Sequence, residues 1–474
     1  MSARTGAGAR YLERFRARHA EEYPAGATRR ILPAAGTQRR FAAMAAVSGR
    51  RLAVPLFMAV PAGLVDARHL DAALRVLADR HPALRCRVVV DRGLPVQEWA
   101  ADRTPRLAVA HVGSADAAGR AAAAAIRAVE DGRTATALHT VLLRGPEQDL
   151  LGFVFDHAVV DETSLRLFTA DLFRVLDGGR PDGSADPAGL PAGEPAGGDP
   201  WTAFRDAVWT HVAAEAAAGD RVGHWVGRLT PVARRWAARR ASAPEQHASA
   251  PGGASAPDQV PGVVRPLEPA PLPAPVGRAR AALFPLALAS LHLALRDTGV
   301  GAPTTVGYAW GARTDAAAHT VGCFMNTVLS ASASTAPAGS PHDAARFAER
   351  FVDAWWQDVD HADVPFDEVV GAVGRATRIG WPGEADALLV LEDVRDRTPL
   401  RLAGRPVAEW LPPLLSPKAG LSGALRLDAD ELRLRVLVAP GTPAARCADG
   451  IAAAWRTRLE ALLVAHAGSR TPAS

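Results

Sequence analysis

The chain has 474 residues, of which 48% are hydrophobic, and a formal charge of +4. That length exceeds what one compact core accommodates, so two domains or subdomains are expected. The basic residues are almost all arginine, spread among acids with no stripe interleaved with aromatics, which argues against a nucleic-acid partner.

Three cysteines, Cys86, Cys323 and Cys447, lie far apart in no metal-ligand spacing. They imply no metal site and fit a reduced, cytoplasmic setting. The polar N-terminal segment, residues 1–28, mixes Arg4, Arg10, Glu13, Glu21 and Glu22 without an apolar core. No apolar run reaches membrane-spanning length, so neither export nor membrane insertion is expected.

In chain order, Asp66 precedes Leu70, Leu74 and Leu77, an amphipathic helix closing at Pro82. Leu84 to Val90 alternates and reads as a strand. The alanine-rich stretch 115–130 predicts a helix, and His139–Leu143 pairs with Leu150–Phe155 as a hairpin. Residues 178–200 are Gly, Pro, Ala and Asp and read as a linker, and 241–275 as a low-complexity loop. Between them Trp201–Leu229 is helical in pattern.

Further on, Ala281–Leu295 predicts a buried helix, and Thr304–Ala309 and Val321–Leu329 predict strands. Phe347, Phe351 and Trp355 mark one helix face, another helix begins near Pro365, and Leu388–Leu391 is a short buried strand. Ala424–Leu427 and Leu432–Val438 form a hairpin, and 443–466 a closing helix. The sum is an α/β chain in two halves.

The stretch Gln148–Leu176 carries the chemistry. An apolar run of strand length ends in Asp156-His157-Ala-Val-Val-Asp161-Glu162-Thr163-Ser164, after which Leu165, Phe168, Leu172 and Val175 follow at helical spacing. Imidazole exchanges a proton near neutrality, and a strand end gives it a rigid mount. The same spacing also suits a core histidine followed by Asp161 or Thr163 as helix N-cap and Glu162 as a first-turn acid.

Several stretches, taken together and in order, resemble the condensation domain of nonribosomal peptide synthetases, within the chloramphenicol acetyltransferase-like superfamily. The His-His-x-x-x-Asp-Gly stretch of that family, which carries its HxxxD motif, is similar to Asp156–Glu162. Arg-His-Glu-x-Leu-Arg is similar to Arg80-His81-Pro82-Ala83-Leu84-Arg85, and Gly-x-Phe-Val-Asn-Thr to Gly322-Cys323-Phe324-Met325-Asn326-Thr327. His-Gln-Asp-x-Pro-Phe is similar to His361-Ala362-Asp363-Val364-Pro365-Phe366, and Asp206-Ala207-Val208-Trp209 to a further family stretch.

The resemblance implies two chloramphenicol acetyltransferase-like subdomains, residues 29–177 and 201–474, in a V-shaped arrangement with a central tunnel. It implies substrates on the 4'-phosphopantetheine arms of peptidyl or acyl carrier proteins, a small-molecule or carrier-bound acceptor, and no permanently bound cofactor. His157 is the implied catalytic residue and Asp161 its structural support, paired with Arg313 of Gly311-Ala312-Arg313; the alternative for Arg313 is a surface arginine in a loop. Asp156, Glu162 and Trp310 are the further candidates for tunnel or substrate contact.

Two positions depart from the family stretch: Asp156 replaces its first histidine and Glu162 its glycine. The implied function is a freestanding condensation enzyme that makes an amide or ester from a carrier-bound acyl or aminoacyl thioester, used in antibiotic-type secondary metabolism. With Glu162 in the motif, two alternatives stay open: a catalytically degenerate docking module for a carrier protein or tailoring enzyme, or cyclisation, dehydration or hydrolysis of a tethered substrate by His157 and Glu162.

Overall fold

A computed structural model describes residues 6–20, 22–24, 26–178, 199–242, 263–266, 270–271, 280–300, 302–311, 313–333, 341–395, 399–413, 418–428, 431–440 and 442–469. Most of the expected linker, and much of the expected loop at 241–275, lie outside the described residues. Within that loop, however, Val263–Pro266 forms a strand antiparallel to Glu431–Val438, and residues 241 and 242 end a helix.

The N-terminal half is built on a five-stranded sheet in the order Ala408–Glu409, Ala53–Pro61, Gln148–Asp156, Leu138–Arg144, Leu107–His111. Its central strand, Gln148–Asp156, is buried from its second residue to its last. That burial explains an unbroken apolar run where a half-exposed strand would alternate. Successive side chains of a strand point to opposite faces: Leu151, Phe153 and Phe155 enter one core with the helices Ala67–Arg80 and Glu162–Leu176, while Leu150 and Val154 meet the helix Ala115–Glu130 on the other. Gly152 sits where a Cβ would come within 2.5 Å of both Phe57 and Val141, so only glycine fits there.

The C-terminal half has its own sheet, ordered Met325–Ser332, Thr304–Gly311, Ala387–Asp393, Leu421–Leu427, Glu431–Val438, Val263–Pro266. Ala387–Asp393 is parallel to both its neighbours. The helices Arg280–Asp297, Pro341–Val359 and Ala448–Ser469 contribute to this core. Trp455, wholly buried, donates its indole N–H to Ala287 O and Ser290 Oγ, so the one polar atom of the largest core side chain is satisfied.

Three expectations need correction. The polar N-terminal segment contains the helix Ala7–Arg16, which buries Tyr11, Leu12 and Phe15; the Tyr11 hydroxyl donates to Pro95 O and accepts from Ala34 N. Trp201–Leu229 is two helices, Pro200–Ala218 and Gly223–Ser242, separated by a 3-10 turn. The first of them packs in the N-terminal core through Trp201, Phe204 and Val208 and the second in the C-terminal core through Trp225 and Leu229. The cores therefore divide near residues 219–222 and not at 201.

The third correction concerns Val321–Leu329. The strand begins only at Met325, because the backbone before it is bonded elsewhere: Gly322 N–H donates to Ser164 Oγ and Phe324 N–H to Asp161. Those bonds tie the C-terminal half to the helix that follows His157.

Candidate functional site

His157 is the first residue past the Gln148–Asp156 strand, and it opens a one-turn 3-10 helix, His157–Val159. Its backbone N–H is held by Leu52 O, while Gln38 Nε2 donates to Ala158 O. The ring lies 5.0 Å from that of Phe41. Its Nδ1 sits 3.0 Å from Val160 O. A carbonyl only accepts, so that contact is a hydrogen bond when Nδ1 carries the proton, and the lone pair of the neutral ring then sits on Nε2.

His157 is partly buried where residues 151–156 and 158–161 are all buried. Yet protein surrounds it closely enough that burial, assisted by the Lys418 charge, holds its pKa down to about 3.

Behind the ring, Asp161 is buried and all its bonding capacity is used. It caps the Glu162–Leu176 helix by accepting from Ser164 N–H at 2.9 Å, and it accepts from Ser164 Oγ and Phe324 N–H. Arg313 meets it as a fork, Nη2 to Oδ1 at 2.6 Å and Nε to Oδ2 at 3.2 Å. The N-cap role and the arginine pairing, which competed on sequence grounds, are held by the same carboxylate. The guanidinium also donates to Ala317 O, to Thr320 O at 2.7 Å and to Ser164 Oγ at 2.9 Å and lies over the Phe324 ring. Arg313 is thus an interior clamp and not a surface arginine.

Asp156, expected to contact substrate, is buried and engaged by protein partners. One oxygen accepts from Ala158 N–H and the other from Arg51 Nη1 at 2.5 Å, so it caps the turn and pairs in place. Trp310, half-buried, packs on the C-terminal core, its ring 6.5 Å from that of Trp355. Glu162 is exposed at the start of its helix, and its charge is felt at Lys418 and at Glu392. Among the described residues no group of three or more His, Cys, Asp or Glu is arranged to hold a metal, and no helix is long and apolar enough to cross a membrane.

One participant escaped sequence reasoning. Ser164 appears there only as a capping serine, yet its hydroxyl, wholly buried, joins Asp161, Arg313 and both Gly322 backbone groups.

No protein-family model and no curated protein matches this sequence. Solved structures do match over nearly the whole chain. The first condensation domain of the calcium-dependent antibiotic synthetase, in complex with a substrate analogue, aligns with a TM-score of 0.64 at 18% identity, covering 92% of this chain and 96% of that one. The chain has the condensation-domain fold. This condensation-domain fold is shared by the X-domain from teicoplanin biosynthesis, solved in complex with OxyB (TM-score 0.61, 17% identity, 94% and 95% covered). It is shared as well by the starter condensation domain of rhizomide synthetase, solved with C8-CoA and Leu-SNAC (TM-score 0.62, 16% identity, 92% and 94% covered).

Proposed function

We propose that the protein is a condensation enzyme of nonribosomal-peptide-type biosynthesis, joining an acyl or aminoacyl thioester on a carrier protein's phosphopantetheine arm to an amine or hydroxyl. The observation that carries this reading is the His157 ring, its Nδ1 within hydrogen-bond reach of a backbone carbonyl, on a turn braced by the Asp161–Arg313 fork.

In this reading the acceptor's nitrogen or oxygen attacks the thioester carbonyl carbon, the new C–N or C–O bond forms, and the C–S bond breaks. The acceptor's proton passes by way of His157 Nε2 to the leaving thiolate sulfur. An imidazole whose pKa is held at about 3 stores a proton poorly, so His157 orients the acceptor's N–H or O–H and relays its proton. Orientation of this kind supplies a large share of a barrier reduction, and a positioned base adds about 10²- to 10⁴-fold.

The test uses carrier proteins loaded with a panel of acyl groups, free amines and alcohols as acceptors, and product detection by mass. The wild type forms the joined product; His157→Ala, with unchanged melting, loses it at least about 100-fold. Equal activity of that variant overturns the reading. A second reading, a docking module without turnover, is supported by Glu162 standing where the motif has glycine and by the fold shared with the X-domain. Carrier binding undiminished by His157→Ala, with no product on any donor, selects it.

A further inference from the structure

Three consecutive residues at the start of the helix Phe366–Thr377 are each gripped by the N-terminal half. The Arg40 guanidinium lies 4.1 Å from the centre of the Phe366 ring. Arg39 forks onto Asp367, Nε to Oδ2 at 2.8 Å and Nη2 to Oδ1 at 3.2 Å. Glu368, 3% exposed, accepts from the Gly8 N–H at 2.5 Å in the first turn of the helix Ala7–Arg16. A carboxylate there meets N–H groups without helical partners and the positive end of the helix dipole, and it comes from a residue 360 positions away.

Glu368 occupies a cradle made of glycine. A Cβ on Gly8 would come within 2.6 Å of its Oε1, and one on Gly219 within 2.6 Å of its Oε2. Gly219 opens the 3-10 turn Gly219–Val222, where the chain passes from the N-terminal core to the C-terminal core. The same carboxylate thus packs against this hinge and against the helix Ala7–Arg16, whose Tyr11, Leu12 and Phe15 are rooted in the N-terminal core. That helix also meets Arg39, whose guanidinium lies 4.7 Å from the Tyr11 ring centre.

The grip reaches His157 through one helix. In Gly36–Ser48, Arg39 and Arg40 hold the C-terminal half, while Gln38 Nε2 donates to Ala158 O at 2.7 Å and the Phe41 ring lies 5.0 Å from the imidazole. Four successive side chains, about one helical turn, therefore tie the placement of the far half to the turn that carries His157.

We infer that Glu368 and the helix Ala7–Arg16 form a latch across the hinge, which holds the two halves in one relative placement and, through Gly36–Ser48, keeps the His157 turn in register with both. Glu368 is then a positioning residue, acting on His157 only through that helix. The inference invokes no substrate and stands independently of the proposed condensation reading.

Two labels report the placement. Val109, on the N-terminal sheet, and Val464, on the helix Ala448–Ser469, are 47% and 60% exposed, while Cys86 and Cys323 are buried. Spin labels on Val109→Cys and Val464→Cys, in the full chain with Cys447→Ser, give the distance distribution between the halves. Hydrogen exchange followed by mass reads the segments 36–41 and 157–160. The latched protein shows one narrow distance. Glu368→Ala broadens or shifts it and speeds exchange in both segments about 10-fold or more, as expected for one lost buried hydrogen bond to a charged group, while the strand Gln148–Asp156 exchanges as before. Gly8→Ala separates a latch from an ordinary helix: alanine is the better helix residue, yet its Cβ displaces the carboxylate, so the distance broadens here too. Asp171→Asn, which breaks a buried cluster of Arg80, His81 and Arg174 wholly inside the N-terminal half, lowers the melting temperature and leaves the distance narrow. Should Glu368→Ala fail to fold, Gly8→Ala and Glu368→Gln decide. An unchanged distance in the latch variants, faster exchange confined to residues 6–16, or equal broadening by Asp171→Asn overturns the inference.

Discussion

Replacing Arg313 by alanine strands the Asp161 carboxylate inside the protein. The two side chains are 10% and 6% exposed, so water does not take the place of the guanidinium. Removing one partner of a buried pair costs about 3–5 kcal/mol. Here Ser164 N–H, Ser164 Oγ and Phe324 N–H still donate to the carboxylate, which sets the loss at the lower end, about 3 kcal/mol. The Ala317 and Thr320 carbonyls lose their donor in the same step. Urea unfolding followed by tryptophan fluorescence reads this as a lower midpoint at unchanged slope. Adding Asp161→Asn removes the stranded charge, so the double variant is more stable than the sum of the two single losses by about 1 kcal/mol or more. A cost under about 1 kcal/mol for Arg313→Ala, or strict additivity in the double variant, refutes the buried-clamp argument.

Two further outcomes follow from the charges. Glu162→Gln removes the carboxylate that raises the Lys418 pKa, so the pH at which Lys418, the only lysine, reacts in reductive methylation with formaldehyde moves below its wild-type value; an upward shift or none contradicts the coupling. His292, wholly buried between Thr304 Oγ1 and Ser330 Oγ, is depressed to a pKa of about 3 by burial. Below about pH 6.5 the unfolded chain binds this proton and the native state does not, so stability falls as pH drops from about 6.5 toward 3, by about 1.4 kcal/mol per unit from this group. His292→Gln makes the profile of unfolding free energy against pH correspondingly shallower over that window, and an unchanged profile contradicts it.

Where sequence patterns record side-chain burial directly, the structure was legible in advance. Leu150–Phe155 reads as a buried strand because both its faces are covered, and Leu70, Leu74 and Leu77 read as a helix because only one face is. The ordered resemblance, from the His157 stretch to Gly322–Thr327, pointed to the condensation-domain fold that solved structures share with this chain. The Ala7–Arg16 helix was hidden because Arg10, Glu13, Arg14 and Arg16 outnumber its three large buried apolar side chains, Tyr11, Leu12 and Phe15. Val321–Phe324 has the composition of a strand, but its backbone is committed to Ser164 and Asp161, partners about 160 residues away in sequence that no local pattern reports.

The return of the chain to the N-terminal sheet at Ala408–Glu409 bears on how the molecule is assembled. The edge of the N-terminal sheet beside Ala53–Pro61 is closed by Ala408–Glu409, with Trp410 packed on Phe57 at 5.7 Å. During synthesis the ribosome must therefore add some 350 residues after Pro61 before that edge is covered, and a truncation ending near residue 177 leaves Met58 and Ala59 with unpaired backbone groups, an invitation to edge-to-edge aggregation. Dissecting the protein into its halves is thus a poor way to study either one, and a split expressed as two chains recovers a sealed sheet only when the C-terminal piece is supplied in trans.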